Sequence, residues 1–340
     1  MCGIAGIVDL EGAREIDRDA LRRMTQALAH RGPDGEGYFH AAGIGFGHRR
    51  LAIIDRKGGA QPFTAQTGGA VITYNGEIYN HQALHARLSG VHLRTRSDTE
   101  VLAEGITLHG RDFLHELRGM FAFALWEPEP RRLTLARDRL GERPLYYALT
   151  NDGFLLFASE IGALAASGMI ETSLDPRAVA DYFYYGYVPD PKSIYRGVFK
   201  LPPASTLVAE PGRPFRIERY WRPVFTTGGG ISFDDAADTL CAKVDEAVAA
   251  QMMSDVPLGA FLSGGVDSAG VVSSMAQTAN KLIACTIGFD EESHDERAAA
   301  RAIAAKFGAV YHEGLARCNS ARIVDDVAAA FGEPFADSSA

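Results

Sequence analysis

Apolar positions in the first half of the chain fall into short runs separated by glycine and turn residues. "CGIAGIVDL", "IGFGHRRLAII", "GGAVITYNG", "GMFAFALWEP", "RRLTLARDR", "PLYYALT" and "GFLLFASE" each have the length and texture of a β-strand. Two stretches follow a helical period instead. "RDALRRMTQALAH" puts Leu21, Met24 and Leu28 on one face, and "SDTEVLAEGITLHG" opens with Ser97, Asp98 and Thr99, all residue types that cap helix N-termini. The pattern predicts a strand-dominated α+β domain whose sheets stack face to face with helices alongside.

The texture changes over 201–230, where Pro202, Pro203, Pro211, Pro214 and Pro223 accumulate before "TTGGG". This stretch reads as a linker. After it, "SFDDAADTLCAKVDEAVAAQM" predicts a helix with a Ser232/Asp235 capping pattern and an apolar stripe of Leu240, Val244, Ala247 and Val248. "VPLGAFL", "LIACTIGF" and "AVYHEG" read as strands alternating with helices, the order that builds a parallel α/β sheet. Two domains are expected, over residues 2–213 and 230–340.

Composition narrows the function classes. Apolar residues make up 46% of the 340, enough for sizeable cores, and the formal net charge is −9. An acidic chain without clustered Lys and Arg is a poor binder of nucleic-acid backbones, so no nucleic-acid partner is expected. The aromatic run "DYFYYGYVP" has no interleaved basic residues and fits packing in a core or interface better than base stacking. No apolar run reaches membrane-spanning length, and Asp9 and Glu11 interrupt the first one, so neither a membrane partner nor a signal peptide is expected. Cys2, Cys241, Cys285 and Cys318 form no CxxC pair, and the ten histidines show no HExxH spacing. Free thiols in a reduced, cytoplasmic protein without a zinc site are the expectation.

Cys2 follows the initiator methionine directly. Removal of Met1 would put the thiol and the α-amine on one residue. An α-amine, with a pKa near 7.7–8.0, can serve as the base that generates a thiolate nucleophile. "HRGPDG" (30–35), "HRRLAIID" (48–55), "YNGEIYN" (74–80) and "RSDTE" (96–100) each combine polar residues with a glycine or a strand end. Arg50 offers the planar fork that grips a carboxylate, and Asp98 suits an ammonium group. Asn75 and Gly76 put a side-chain amide beside a backbone N–H, as an oxyanion hole requires. Each residue also has a structural reading: a fold-stabilising arginine, a helix-capping aspartate, a turn "NG".

Taken together, "MCGIAGI", "HRGPDG", "RLAIID", "NGEIYN", "SDTE", "GMFAFALW", "ARDRLGERPLYY" and "FASE" resemble, in order, the class II, N-terminal-nucleophile glutamine amidotransferases, and specifically the glutamine-dependent asparagine synthetase family. The resemblance implies an N-terminal-nucleophile domain of stacked antiparallel sheets. It also implies Cys2 as nucleophile, Asn75 and Gly76 as oxyanion hole, and a glutamine site of Arg50, Leu51, Ile53, Asn75, Gly76, Glu77 and Asp98.

"LSGGVDS" (262–268) lies between a predicted strand and a helix. Its two glycines allow backbone N–H groups to curl around phosphate at a helix N-terminus, and it lacks the GK[ST] ending of a Walker A loop. It resembles the pyrophosphate loop of ATP pyrophosphatases. That implies ATP as substrate, bound by Leu262, Ser263, Gly264, Gly265, Asp267, Ser268 and Ile287, with Asp267 holding Mg²⁺ and no prosthetic group.

The implied reaction is ATP-dependent amidation of a carboxylate with ammonia drawn from glutamine, aspartate being the acceptor in the family. Partners are then glutamine, ATP and aspartate or another carboxylate, with a homodimer as the assembly to test. Residues 181–203 resemble family members associated with polysaccharide export, which keeps a sugar-acid acceptor open. A silent binding or regulatory module is the alternative of a different class. The family continues past "EPFADSSA" with an SGEGSDE-type loop, so the expectation is an incomplete ATP-pyrophosphatase sheet, in a chain that hydrolyses glutamine without forming an amide.

Overall fold

The computed structural model describes residues 1–88, 90–291, 293, 295–317 and 320–336. Cys318 lies outside the described residues. Fifteen strands form three sheets among the described residues. In chain order they are β1 (Gly3–Asp9), β2 (Gly35–Ala41), β3 (Ile44–Arg50), β4 (Phe63–Thr64), β5 (Val71–Ile78), β6 (Gly119–Glu127), β7 (Arg132–Arg137), β8 (Tyr146–Leu149), β9 (Phe154–Ala158), β10 (Val198–Lys200), β11 (Ser205–Ala209), β12 (Arg216–Arg219), β13 (Ala260–Phe261), β14 (Ile283–Gly288) and β15 (Val310–Leu315). The α-helices are α1 (Arg18–Ala27), α2 (His81–His85), α3 (Asp98–His109), α4 (Ile161–Ala166), α5 (Pro176–Tyr185), α6 (Phe233–Gln251), α7 (Val266–Ala276), α8 (Arg297–Lys306) and α9 (Ser320–Phe331).

The chain divides into two compact units, Met1–Pro223 with Val324–Ala340, and Val224–Ile323. The first unit holds two antiparallel six-stranded sheets, ordered β10-β8-β9-β1-β3-β2 and β12-β11-β7-β6-β5-β4. Ile4, Phe46 and Phe157 of one sheet meet Ala122, Ala124 and Leu135 of the other in a shared interior. The first sheet buries its second face under α1, α4 and α5, with Leu21, Met24 and Leu28 in contact as the helical period predicts. The second sheet buries its own under α3, through Val101, Leu102 and Ile106. The result is a helix–sheet–sheet–helix sandwich, the stacked α+β arrangement expected from the sequence. All seven residues of β1 are buried, since the strand is covered on both faces and paired at both edges.

The supposed linker over 201–230 is corrected by β11, which is wholly buried and paired to β7 and β12. Its prolines misled the reading because they sit outside the ladder. Pro202 and Pro203 precede β11, and Pro211 and Pro214 lie between β11 and β12, where no backbone donor is needed. The aromatic run at 181–189 is core only in part: Tyr182 packs against the first unit's core and Val188 is buried in it, while Phe183 and Tyr184 are each 81% exposed on α5. Near the other end of the chain, Glu333 docks on the first unit. Its carboxylate lies 2.5 Å from Lys200 Nζ and accepts from the Ile194 amide at 3.2 Å.

The second unit contains the parallel sheet β13-β14-β15, with Val272 of α7 and Ala300 and Ala304 of α8 in its core. Ser232 caps α6 as expected, accepting from the Asp235 amide. The predicted apolar stripe is not buried, and Leu240 is 63% exposed. Of its residues, Val248 packs against the unit's core, beside Met252. No helix among the described residues is long and apolar enough to cross a membrane.

One polar pair interrupts the sandwich interior. His48 of β3 is 1% exposed, and its Nδ1 lies 3.1 Å from Thr73 Oγ1 of β5. Burial, reinforced by the charge of Arg50, pushes its imidazole down to about 3. An unfolded histidine titrates near 6.5. Between these values only the unfolded chain takes up the proton, so stability is lost as pH falls below about 6.5 and is unaffected above it. The contribution is about 1.4 kcal/mol per pH unit. We expect denaturant unfolding between pH 6.5 and 4.5 to show this slope in the wild type and a slope smaller by one proton in His48→Gln; equal slopes would contradict a buried, neutral His48.

Candidate functional site

The two sheets bring their ends together around one pocket. Cys2 immediately precedes β1, Arg50 ends β3, Leu51 and Ile53 follow it, Asn75, Gly76 and Glu77 lie within β5, and Asp98 begins α3. All of these line the same pocket, together with Met1, Gln61, Tyr74 and Arg143. The residues assigned to the nucleophile half therefore converge from separated segments.

The Cys2 thiol exchanges contacts with Leu51. Its Sγ accepts from the Leu51 amide at 3.4 Å and lies 3.6 Å from the Leu51 carbonyl oxygen. Burial pushes the thiol pKa up, opposed by the Leu51 N–H, the chain's α-amino group and Arg50. That α-amino group belongs to Met1 here, and burial lowers its own pKa. Arg31 holds the backbone at Cys2: Nε donates to the Cys2 carbonyl at 2.9 Å while Nη1 donates to Glu160 Oε1 at 2.8 Å. The motif "HRGPDG" drew attention to this segment, but nothing local in it pointed to Glu160, which lies 129 residues away.

Asp98 is 4% exposed and receives neutral donors. Oδ2 accepts from the Tyr74 hydroxyl at 2.8 Å and the Ile78 amide at 2.9 Å. Burial still raises its pKa, so the ionised form gains from a cation brought into the pocket. Burial and then the Asp98 charge raise Glu77 as well. Asn75 Nδ2 is buried without a hydrogen-bond partner among the described residues, an amide donor held in reserve. Arg50 has the structural role set beside its functional one: Nη1 donates to the Arg56 carbonyl at 2.9 Å, and Nη2 to those of Asp55 at 2.7 Å and Ile54 at 3.3 Å. It thereby shapes the loop that lines the pocket. Asp98 does not cap α3; Ser97 does, through the Thr99 amide.

In the second unit, Ser263, Gly264 and Gly265 connect β13 to α7. Ser268 Oγ lies 2.8 Å from Ser263 Oγ and accepts from the Ser263 amide at 3.1 Å, closing the loop on the first turn of α7. The Gly264 amide donates to Glu296 Oε2 at 3.2 Å, so a carboxylate rests on the loop. Leu262 directly follows β13 and Ile287 lies near the end of the neighbouring β14, but they differ in setting: Leu262 is 2% exposed in the core and Ile287 is 57% exposed. Asp267 is exposed in the first turn of α7. Among the described residues, no group of three acidic, His or Cys side chains is placed to hold a metal ion.

A family model described as a glutamine amidotransferase domain matches residues 1–221, and one described as asparagine synthase matches 239–340. Asparagine synthetase [glutamine-hydrolyzing] 1 of Bacillus subtilis is 35% identical over 316 residues, covering 91% of this chain and 49% of the relative. Putative asparagine synthetase [glutamine-hydrolyzing] 2 of Methanocaldococcus jannaschii is 32% identical over 367 residues, covering 99% and 69%. The chain thus spans 49% of the length of the first of these relatives. A solved structure of the allosteric regulatory enzyme of purine biosynthesis matches with a TM-score of 0.50 at 16% identity, covering 98% of this chain and 88% of that one, and shares its fold.

Gly76 is the position in the pocket least able to change. A Cβ there would stand 2.2 Å from the Met120 carbonyl oxygen and 2.8 Å from Phe121 Cα, both backbone atoms of the paired β6. Gly76→Ala is expected to force β5 and β6 apart and to cost about 1–3 kcal/mol, the range of overpacked cores. Denaturant midpoints measure this; a shift under about 0.5 kcal/mol, the scale of a neutral surface change, would show that the ladder accommodates a methyl group.

Proposed function

Because this chain belongs to the glutamine-hydrolysing asparagine synthetase family, we propose that it releases ammonia from glutamine at Cys2 and that its second unit serves an ATP-dependent amidation of a carboxylate, L-aspartate being the acceptor. The observation that carries the first step is the meeting of Cys2, Arg50, Asn75 and Asp98 in one pocket. Asp98 receives the glutamine ammonium group and Arg50 its α-carboxylate. With Met1 removed, the Cys2 α-amine takes the thiol proton, and the thiolate attacks the side-chain amide carbon. The unpartnered Asn75 Nδ2 and the Gly76 N–H stabilise the oxyanion. The amine returns the proton to the departing ammonia, and water then hydrolyses the thioester to glutamate.

The second step needs a leaving group, because ammonia does not displace oxide from a carboxylate. The acceptor carboxylate attacks the α-phosphorus of ATP, releasing pyrophosphate, and ammonia attacks the acyl-adenylate, releasing AMP. The N-terminus of α7 suits polyphosphate, which would replace the internal acceptors of the Ser263, Gly264 and Gly265 amides, Ser268 Oγ, Glu296 Oε2 and Ser263 Oγ. Mg²⁺ neutralises phosphate charge and takes most of its ligands from phosphate and water, so the single exposed Asp267 fits it without a cluster of protein ligands. A sugar-acid acceptor is not favoured, since the relatives named above are asparagine synthetases. A reducing cytoplasm suits the free thiol on which the first step depends.

Three outcomes are expected. Cys2→Ala abolishes ammonia release from glutamine while the unfolding transition is kept; full activity in that variant overturns the assignment of the nucleophile. Protein that retains Met1, identified by mass spectrometry, has an amide nitrogen at Cys2 in place of a base and is inactive; equal turnover in processed and unprocessed fractions excludes the α-amine. Arg50→Lys loses the bidentate clamp, about 1.5–3 kcal/mol. That raises KM for glutamine roughly ten- to a hundredfold, and an unchanged KM would leave Arg50 as a loop anchor alone. Aspartate-dependent pyrophosphate and asparagine formation tests the acceptor; ATP cleavage with another carboxylate and not with aspartate would reassign it.

A further inference from the structure

The pocket is divided between two sheets that share no backbone ladder. Cys2 and Arg50 belong to the first sheet, Asn75 to the second. The apolar contacts between the sheets are non-directional, and contacts of that kind tolerate small slides. A hydrogen bond is directional and fixes its partners more tightly.

The His48–Thr73 contact lies on the side-chain rows that lead into the pocket. On β3 the inward row runs Ile44, Phe46, His48 and reaches Arg50; on β5 it runs Val71, Thr73 and reaches Asn75. In the β1–β3 ladder Ile4 stands opposite His48, with Cys2 two residues before it. His48 and Thr73 are thus each one side-chain repeat, roughly 7 Å, from Arg50 and Asn75.

Stability alone does not account for this pair. A buried hydrogen bond contributes modestly, and His48 Nε2 is buried without a partner among the described residues, a destabilising feature. Apolar residues of similar volume would fill the space without an orphaned nitrogen. His48 is also absent from the lining of the pocket.

We propose that His48 and Thr73 are positioning residues: their hydrogen bond joins β3 to β5 across the interior and sets the distance from the nucleophile's sheet to the oxyanion donor Asn75. This rests on reading the pocket as a glutaminase site. Without the link, the second sheet carries Asn75 and Asp98 together relative to Cys2 and Arg50; the ion pairs to the glutamine head are weakly directional and tolerate a small slide, whereas the Asn75 amide is misplaced for the developing oxyanion. The loss therefore falls on kcat and leaves KM nearly unchanged.

The test is steady-state ammonia release from glutamine, with thermal unfolding, on the whole chain. Thr73→Val and Thr73→Ala remove the hydroxyl with and without filling its volume, and Thr73→Ser retains it. We expect kcat to fall roughly ten- to a hundredfold in the first two, the scale of a displaced catalytic donor, with KM within about twofold and recovery in Thr73→Ser. In an Asn75→Ala background, Thr73→Val adds no further loss, because the donor it positions is gone. Full kcat in a folded Thr73→Val or Thr73→Ala protein overturns the proposal, as do losses that multiply with Asn75→Ala. A wild type that releases no ammonia overturns the glutaminase reading and this inference together, whereas an active wild type with insensitive Thr73 variants overturns this inference alone.

Discussion

The pocket depends on the first strand being enclosed on both faces and both edges. Chain termini ordinarily fray, and a nucleophile at residue 2 would fray with them. Here β1 is paired to β3 on one edge and β9 on the other, and all its residues are buried. Its glycines make that enclosure possible. A Cβ on Gly3 would stand 2.7 Å from Leu28 Cβ, and one on Gly6 2.3 Å from the Phe157 ring. Arg31 then extends the order past the strand by binding the Cys2 carbonyl, and Glu160 holds Arg31. The thiol is fixed by a chain of packing and hydrogen bonds that starts in the middle of a sheet.

On the proposed reading, with that position fixed, the electrostatics of the pocket select its ligand. Asp98 is buried among neutral donors, and Asn75 Nδ2 is left without a partner among the described residues. Each is a polar group whose full compensation has to come from outside the protein. An ammonium group satisfies the first and a developing oxyanion the second. Sites of this kind discriminate strongly, because an analogue lacking the matching group leaves a buried partner unpaired. On the proposed reading, a simple amide without the amino-acid head is rejected by Asp98 more than by the shape of the pocket.

The sequence made the central strands legible because their apolar runs are buried on both faces: β1, β6 and β9 need no alternation to be recognised. It hid β2, whose "GEGYFHA" is half-exposed and polar, and β11, whose short run was masked by flanking prolines. The pocket residues were legible through motifs that end or interrupt strands. Their partners were not, since Tyr74 finds Asp98 24 residues away and Arg31 finds Glu160 129 away. The stripe on α6 shows the opposite failure: helical periodicity located the helix, but of the face it predicted Leu240 is exposed and only Val248 packs on the unit's core.

On the proposed reading, the two units recognise charge in different ways. The first uses side chains held from two sheets and a helix, which makes its geometry exacting and its sequence motifs scattered. The second would use consecutive backbone amides of one short motif, Ser263–Gly265, once a phosphate replaces the side-chain acceptors they now serve. That economy leaves its selectivity to the groups around it. With Glu296 accepting from Gly264 and Asp267 in the first turn of α7, carboxylates already accompany the amides. An unscreened polyphosphate meets repulsion there that the helix dipole alone, about half an elementary charge, does not offset. A loop with this charge pattern suits a phosphate chain that arrives with its own cation, and the protein's net charge of −9 strengthens the same bias.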